Sequence, residues 1–121
     1  MQYVCLIYFD PEILFNQSAE SNALLADVGP HDKGLRDAGV MQASNALVMP
    51  HEAKTVSVRG GSVSATDGPF IETKEMLGGY IVIEADGMEA AVAIASRIPF
   101  ARMGHVEVRP VVDFSKPRPT L

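Results

Sequence analysis

The chain has 121 residues and a formal net charge of −5, with 47% apolar and 21% charged residues. This size and balance are typical of a single globular domain. Its 10 basic residues form no cluster, which argues against a nucleic-acid or anionic-membrane surface. The N-terminus lacks the features of a signal peptide or membrane helix, so we expect a cytoplasmic protein.

The first element is a strand over Met1 to Phe9, apolar apart from Gln2 and suited to burial on both faces. It contains Cys5, the single cysteine of the chain. This residue cannot form an internal disulfide, and we expect it to pack as a small hydrophobe in a reducing compartment. A reactive thiol is the alternative, although Val4 and Leu6 provide no electropositive neighbour that would lower the pKa.

A helix is predicted over Ser21 to Ala38. One stripe of this helix is apolar apart from His31, and Gly39 is placed to end it. Pro30 lacks a backbone donor and crowds the preceding turn, which predicts either a kink or two short helices.

The second half of the chain predicts a hairpin between strands and then another strand–helix–strand unit. In the hairpin, Gly60-Gly61 forms a two-residue loop that pairs Val58 with Val63. Asp86 is predicted to cap the second helix, which would bury a stripe of three apolar residues, Met88, Val92 and Ala95. The remaining predicted elements are the strands Val40–Val48, Gly79–Glu84 and His105–Val112, and the helix Met88–Ile98.

This order predicts an α+β fold in which one antiparallel sheet carries two helices on a single face. The other sheet face, roughly 350 Å² for four strands of this length, would lie open. We therefore expect a homodimer in which the same face of a second copy covers it. We assign residues 1–113 to one domain and residues 114–121 to a C-terminal tail.

The segment that joins the hairpin to the next strand, residues 67–75, reads DGPFIETKE and is called the DGPF loop below. Its Gly-Pro pair constrains the backbone beside four charged side chains, which is typical of a loop that forms a site. The alternative is a polar turn in which Asp67 caps its own backbone.

Several blocks of sequence resemble the DGPF-domain branch of the YCII-related family: DGPF, ETKE and LGGY in residues 67–80, with YVCLIY, LRDAGV and GHVEVRPV elsewhere. The resemblance implies a ferredoxin-like fold that dimerises into an α+β barrel, and a biochemical role that is poorly settled. The wider group resembles a His–Asp acid/base system with its His on the first helix. The matching position in this chain is Val28, and His31 lies three residues further along on the same face.

Two residues are the candidate catalytic groups, Asp67 as a base or orienting group and His31 as a proton carrier. Structural roles for both are the alternative. The candidate substrate-binding residues are Lys74, Glu72, Arg109, Tyr8 and Tyr80. Glu107 and Arg109 share one face of the last strand, where they line a polar pocket or form an ion pair at the sheet edge. His51 and His105 read as surface residues.

We predict no metal site and no cofactor, because metal-ligand spacings and phosphate-binding glycine motifs are absent from the sequence. The leading hypothesis is a pocket beside the DGPF loop that binds a small anionic or aromatic metabolite, with cofactor-free acid/base chemistry. The alternatives are a non-catalytic ligand-binding or regulatory module, which the family's association with sigma factors implies, and a purely structural dimer.

Overall fold

The computed structural model describes residues 1–117; the last four residues of the predicted tail lie outside the described part. Residues 1–117 form six strands and three α-helices. In chain order they are β1 (Gln2–Phe9), α1 (Pro11–Leu14), α2 (Ala19–Asp37), β2 (Met41–Ala46), β3 (Lys54–Arg59), β4 (Ser62–Asp67), β5 (Met76–Glu84), α3 (Met88–Ala95) and β6 (Gly104–Pro110). Short 3-10 turns span Pro50–Glu52 and Pro99–Arg102.

The main sheet has the strand order β2-β5-β1-β6, and all of its neighbouring pairs are antiparallel. With the β3–β4 hairpin set aside, this is the order of a β-α-β-β-α-β ferredoxin-like domain. The hairpin forms a separate two-stranded sheet inserted between β2 and β5. The predicted α+β fold with an inserted hairpin is confirmed.

Only one face of the main sheet is fully covered. Tyr3, Cys5, Ile7 and Phe9 of β1 point to the covered side and are buried in one cluster with residues of α2 and α3. Alternate residues of the central strands point to the other side and are half-buried or exposed. This second surface is called the open face; its apolar members are Val4, Leu6, Tyr8, Leu77, Tyr80 and Val82.

The hairpin has the predicted register, with Val58 opposite Val63 and Val56 opposite Ala65. Gly60 and Gly61 turn the chain with positive φ angles of 54° and 81°. Two consecutive left-handed residues are what a type I′ turn requires, and glycine adopts that conformation without strain.

The first long helix differs from the prediction at the proline. α2 continues as one helix of 19 residues with Pro30 inside it, so the alternative of two short helices is wrong. Ser18 caps its start, accepting a hydrogen bond from the Ser21 amide at 3.1 Å. Gly39 follows the helix with a φ of 72°, as predicted.

The predictions for α3 were wrong in two respects. Gly87 is its N-cap, with no side-chain capping bond, so Asp86 does not have the predicted role. The helix buries Ala91 and Ala95, whereas Met88 and Val92 are exposed. Because the helix reads MEAAVAIA, nearly every side of it is apolar, and its composition does not fix which stripe faces the sheet.

Candidate functional site

The DGPF loop forms one wall of a cleft of about 960 Å³. Residues 68–73 of the loop line it, and Tyr8 and Leu77 of the open face contribute another wall. The remaining wall comes from the segment between β2 and β3, which includes Leu47, Met49 and His51. The loop therefore borders a concave surface, as the leading hypothesis requires.

The start of the loop is fixed to the root of the hairpin. The Gly68 amide donates to the Ala53 carbonyl at 2.7 Å, and the Thr55 hydroxyl donates to the Gly68 carbonyl at 2.9 Å. Gly68 has a φ of 94°, a conformation that favours glycine. Both of its backbone polar groups are thereby satisfied, and the chain turns sharply into the cleft wall.

Asp67 lies just before this turn, at the end of β4. Its side chain is 86% exposed and forms an ion pair with Lys54, its partner across the hairpin. Asp67 is not among the residues that line the cleft. In the single chain its carboxylate thus points to solvent at the base of the hairpin.

The end of the loop is held by two charged contacts. The Lys74 ammonium lies 4.0 Å from a carboxylate oxygen of Asp10, which is buried and caps α1. The His105 Nδ1 atom lies 2.8 Å from a carboxylate oxygen of Glu75. These contacts connect the end of the loop to the end of β1 and to β6. Together with the bonds of Gly68 at its start, they position residues 69–73.

A second cavity of about 240 Å³ adjoins the cleft, because Leu47, Met49 and Met76 line both. It lies on the covered side of the sheet, and its walls are mainly apolar. Phe9 and Phe100 stack in its lining with their ring centroids 5.5 Å apart.

The helix α2 contributes Val28 and Asp32 to this second cavity. His31 does not line it, but its Nδ1 atom lies 2.9 Å from Asp32. The Nε2 atom of His31 is buried and has no hydrogen-bond partner among residues 1–117. His31 and Asp67 therefore have separate partners, and their joint action in one site remains a prediction.

The other predicted binding residues are distributed around these two spaces. Glu72 lines the cleft together with Tyr8. Tyr80 borders the second cavity, and its hydroxyl accepts a hydrogen bond from the Asn45 side-chain amide at 2.9 Å. Arg109 lies 3.6 Å from Glu107 on the open side of β6. No lysine or arginine is among the described residues that line the cleft, and Lys74 and Arg109 lie outside that lining, each beside a carboxylate.

The sequence reading missed His51 and His105 as site residues. His51 lines the cleft, in a 3-10 turn that begins at Pro50. His105 is largely exposed, as expected, but it holds the DGPF loop through Glu75 and pairs with Tyr8 across the sheet. Pro50 before His51 is a signal of a constrained loop, but only the folded chain brings that loop opposite residues 68–73.

Burial raises the pKa of the Cys5 thiol to about 11, which agrees with the prediction of an inert core residue. Within residues 1–117, no group of three or more His, Cys, Asp or Glu side chains is placed to hold a metal ion. None of the described helices is long and apolar enough to cross a membrane.

A family model described as the YCII-related domain matches residues 1–115. The chain belongs to the YCII-related family. An uncharacterised protein of Rhizobium meliloti strain 1021 is 30% identical to this YCII-related chain over 114 residues, which cover 92% of each protein.

Among solved structures, the chain is similar to the 5-chloro-2-hydroxyhydroquinone dehydrochlorinase of Burkholderia phenoliruptrix AC1100, solved in complex with 2,5-dihydroxybenzoquinone. The identity is 15% and the TM-score 0.49, with 95% of this chain and 97% of the other covered. The ferredoxin-like assignment of this YCII-related chain stands on its own strand order.

Proposed function

We propose that this YCII-related protein binds a small, neutral aromatic metabolite in the cleft beside the DGPF loop. The observation that carries the proposal is that residues 68–73 face a large, mainly apolar concavity. Ligand sites are typically concave and apolar, with a few polar groups that orient the ligand. Here the aromatic body would lie between the exposed Phe70 and Tyr8, with polar groups directed at His51 and Glu72.

The charges around the cleft support a neutral ligand rather than an anion. Glu72 is a carboxylate in the lining, and Lys74 and Arg109 are each paired with an acidic side chain. An anionic ligand would approach Glu72 without a described cation beside it, which costs affinity through like-charge repulsion.

The proposed chemistry is cofactor-free proton transfer to and from a carbon beside a carbonyl group. Three lining side chains are titratable and can give or take a proton: Tyr8, His51 and Glu72. Imidazole is suited to such a step near neutral pH. Asp67 and His31 remain candidates for base and proton carrier. Asp67 would have to separate from Lys54, whereas His31 would act through Nε2 while Nδ1 stays paired with Asp32.

We further propose a cytoplasmic homodimer. The open face supports dimerisation, since Val4, Leu6 and Val82 form a half-exposed apolar surface across the central strands. The buried free thiol of Cys5 is in keeping with a reducing compartment.

Acetophenone tests the enzymatic half of the proposal, because it is neutral and aromatic and has acidic methyl protons beside its carbonyl. We expect the protein to accelerate the exchange of these protons with D₂O, as followed by NMR. His51→Gln should abolish the acceleration. If His51→Gln retains the acceleration while Asp67→Asn and His31→Gln lose it, the proton transfer belongs to Asp67 and His31 instead.

A non-catalytic ligand-binding or regulatory module is the second candidate. It is favoured by the apolar character of the lining, which supplies binding area but few reactive groups. Acetophenone that binds in the cleft without faster exchange would support this module over the enzyme. Benzoate, of similar size but anionic, is the matched control for charge and should bind more weakly than acetophenone.

A further inference from the structure

The β3–β4 hairpin presents its apolar side to solvent. Val56, Val58 and Val63 are 63%, 54% and 72% exposed, and with Ala65 they form one side that we call the valine face. The opposite side carries five hydroxyl residues and Arg59; its β3 residues Thr55 and Ser57 are half-buried, whereas its β4 residues are exposed. On β3 the polar side is therefore turned toward the rest of the chain and the apolar side away from it.

This orientation is the reverse of what a half-covered antiparallel sheet normally shows. A two-stranded hairpin is also marginally stable in water unless further strands or other elements pack on its apolar side. In the single chain, β3 and β4 pair only with each other. The valine face thus lacks the cover that its composition requires.

We propose that a second copy of this chain covers the valine face, as an extension of the interface formed at the open face. The inference rests on the homodimer of the proposed function. The root of the hairpin lies beside the open face, because Ala53 and Gly68 line the same cleft as Tyr8 and Leu77. Phe70 and Ile71 line the same cleft and are exposed, and the Lys54–Asp67 ion pair marks the root of the valine face.

The area of the open face is the second reason for assigning this surface to another copy. Four short strands offer roughly 350 Å², well short of the ~800 Å² that each partner buries in a stable interface. The valine face adds about 190 Å². Phe70 and Ile71, at 85% and 68% exposure, bring the total close to the expected size.

This arrangement makes the ligand site dependent on the dimer. Phe70 and Ile71 line the cleft, and both are exposed in the single chain and available to a partner. A partner that covers the valine face would therefore lie over the cleft mouth and restrict the access of water to it.

Sedimentation equilibrium on the full chain tests the inference with three variants. Val63→Glu places a charge on the valine face, and Ser64→Glu, its neighbour on the opposite side, is the matched control. We expect Val63→Glu to weaken dimerisation at least tenfold and Ser64→Glu to leave it unchanged. Val58→Lys repeats the test with the other sign of charge, should Val63→Glu fail to fold.

Leu6→Glu, on the open face, distinguishes this inference from the proposed homodimer. If Leu6→Glu dissociates the dimer while Val63→Glu and Val58→Lys behave like Ser64→Glu, the homodimer stands and the role of the valine face is wrong. A wild-type chain that is monomeric at high micromolar concentration overturns both.

Discussion

The Nδ1 atom of His105 lies 2.8 Å from a carboxylate oxygen of Glu75, which joins the end of the DGPF loop to the last strand of the sheet. Both residues lie beside the open face, where His105 pairs with Tyr8. The loop is thus held at both ends, since Gly68 bonds to the hairpin root at its start. A loop held in this way presents Phe70 and Glu72 to the cleft in a defined position.

His105→Ala should loosen the loop without unfolding the domain. The pair is largely exposed, so its loss should cost less than about 1 kcal/mol of unfolding free energy. Hydrogen exchange of the amides of residues 70–75 should accelerate, because the contact of Glu75 with His105 is lost and only that of Lys74 with Asp10 still holds the end of the loop. Glu107→Gln is the control, since it breaks an exposed pair with Arg109 on the same strand. Equal exchange in both variants would show that His105 does not hold the loop.

Phe70→Ser should lower the affinity for acetophenone roughly two- to tenfold, the range expected for one aromatic contact. The residue is 85% exposed in the single chain, so the fold of each protomer should be retained. Phe114→Ser is the matched control, because Phe114 is 87% exposed and does not line the cleft. Isothermal titration of both variants measures the difference, and an equal loss of affinity would remove Phe70 from the site.

Gly78→Ala should destabilise the fold by about 1–3 kcal/mol. A Cβ atom at Gly78 would overlap the ring of Phe9, which is stacked on Phe100 and cannot move aside freely. Gly34→Ala is the opposite case, because a Cβ there meets open space in the last turn of α2. It should stabilise the protein by about 0.5–1 kcal/mol. Urea denaturation measures both changes in the free energy of unfolding. A change of the same sign in Gly78→Ala and Gly34→Ala would contradict this packing.

Cys5 should resist alkylation in the folded protein. Its pKa of about 11, against an ordinary value of 9.0, lowers the thiolate fraction at pH 8 by about 100-fold relative to the unfolded chain. Iodoacetamide labelling followed by mass spectrometry should therefore be slow until urea is added. Rapid labelling of the native protein would mean that the strand opens locally.

The same shift makes stability depend on pH in a defined window. Because the folded pKa of Cys5 is raised, the folded state holds the proton more tightly, and its contribution to stability is complete below pH 9.0. That contribution is lost as the pH rises to about 11. Cys5→Ala should remove this part of the pH dependence from the free energy of unfolding.

The sequence predicts the parts of this fold in which local chemistry decides the conformation. Gly60-Gly61 permits a two-residue turn, and that turn sets the register of Val58 and Val63. The buried stripe of α3 was not predictable in this way. The predicted stripe was Met88, Val92 and Ala95, and of these only Ala95 is buried, together with Ala91. All four residues are apolar, so contacts distant in sequence select the buried side.

For the candidate site too, the features set by local sequence were predictable and those that depend on distant segments were not. The concentration of charge around Gly68-Pro69 marks the DGPF loop as a site-forming segment, and the loop does border a cleft. His51 and Tyr8 belong to other segments, and only the paired strands and the adjoining turn bring them opposite the loop. The exposure of the valine face was also not predictable. Alternation of apolar and polar residues identifies the two sides of a hairpin, but it does not say which side faces the protein.

Chemical-shift mapping of the ¹⁵N-labelled protein with acetophenone tests the central claim most directly. We predict saturable shifts that cluster at the amides of residues 70–73 and 47–49 and at Gly68, His51 and Tyr8, around the cleft. Shifts confined to the depression near the C-terminus, around Val112 and Phe114, would contradict the claim. So would the absence of any saturable shift at millimolar acetophenone.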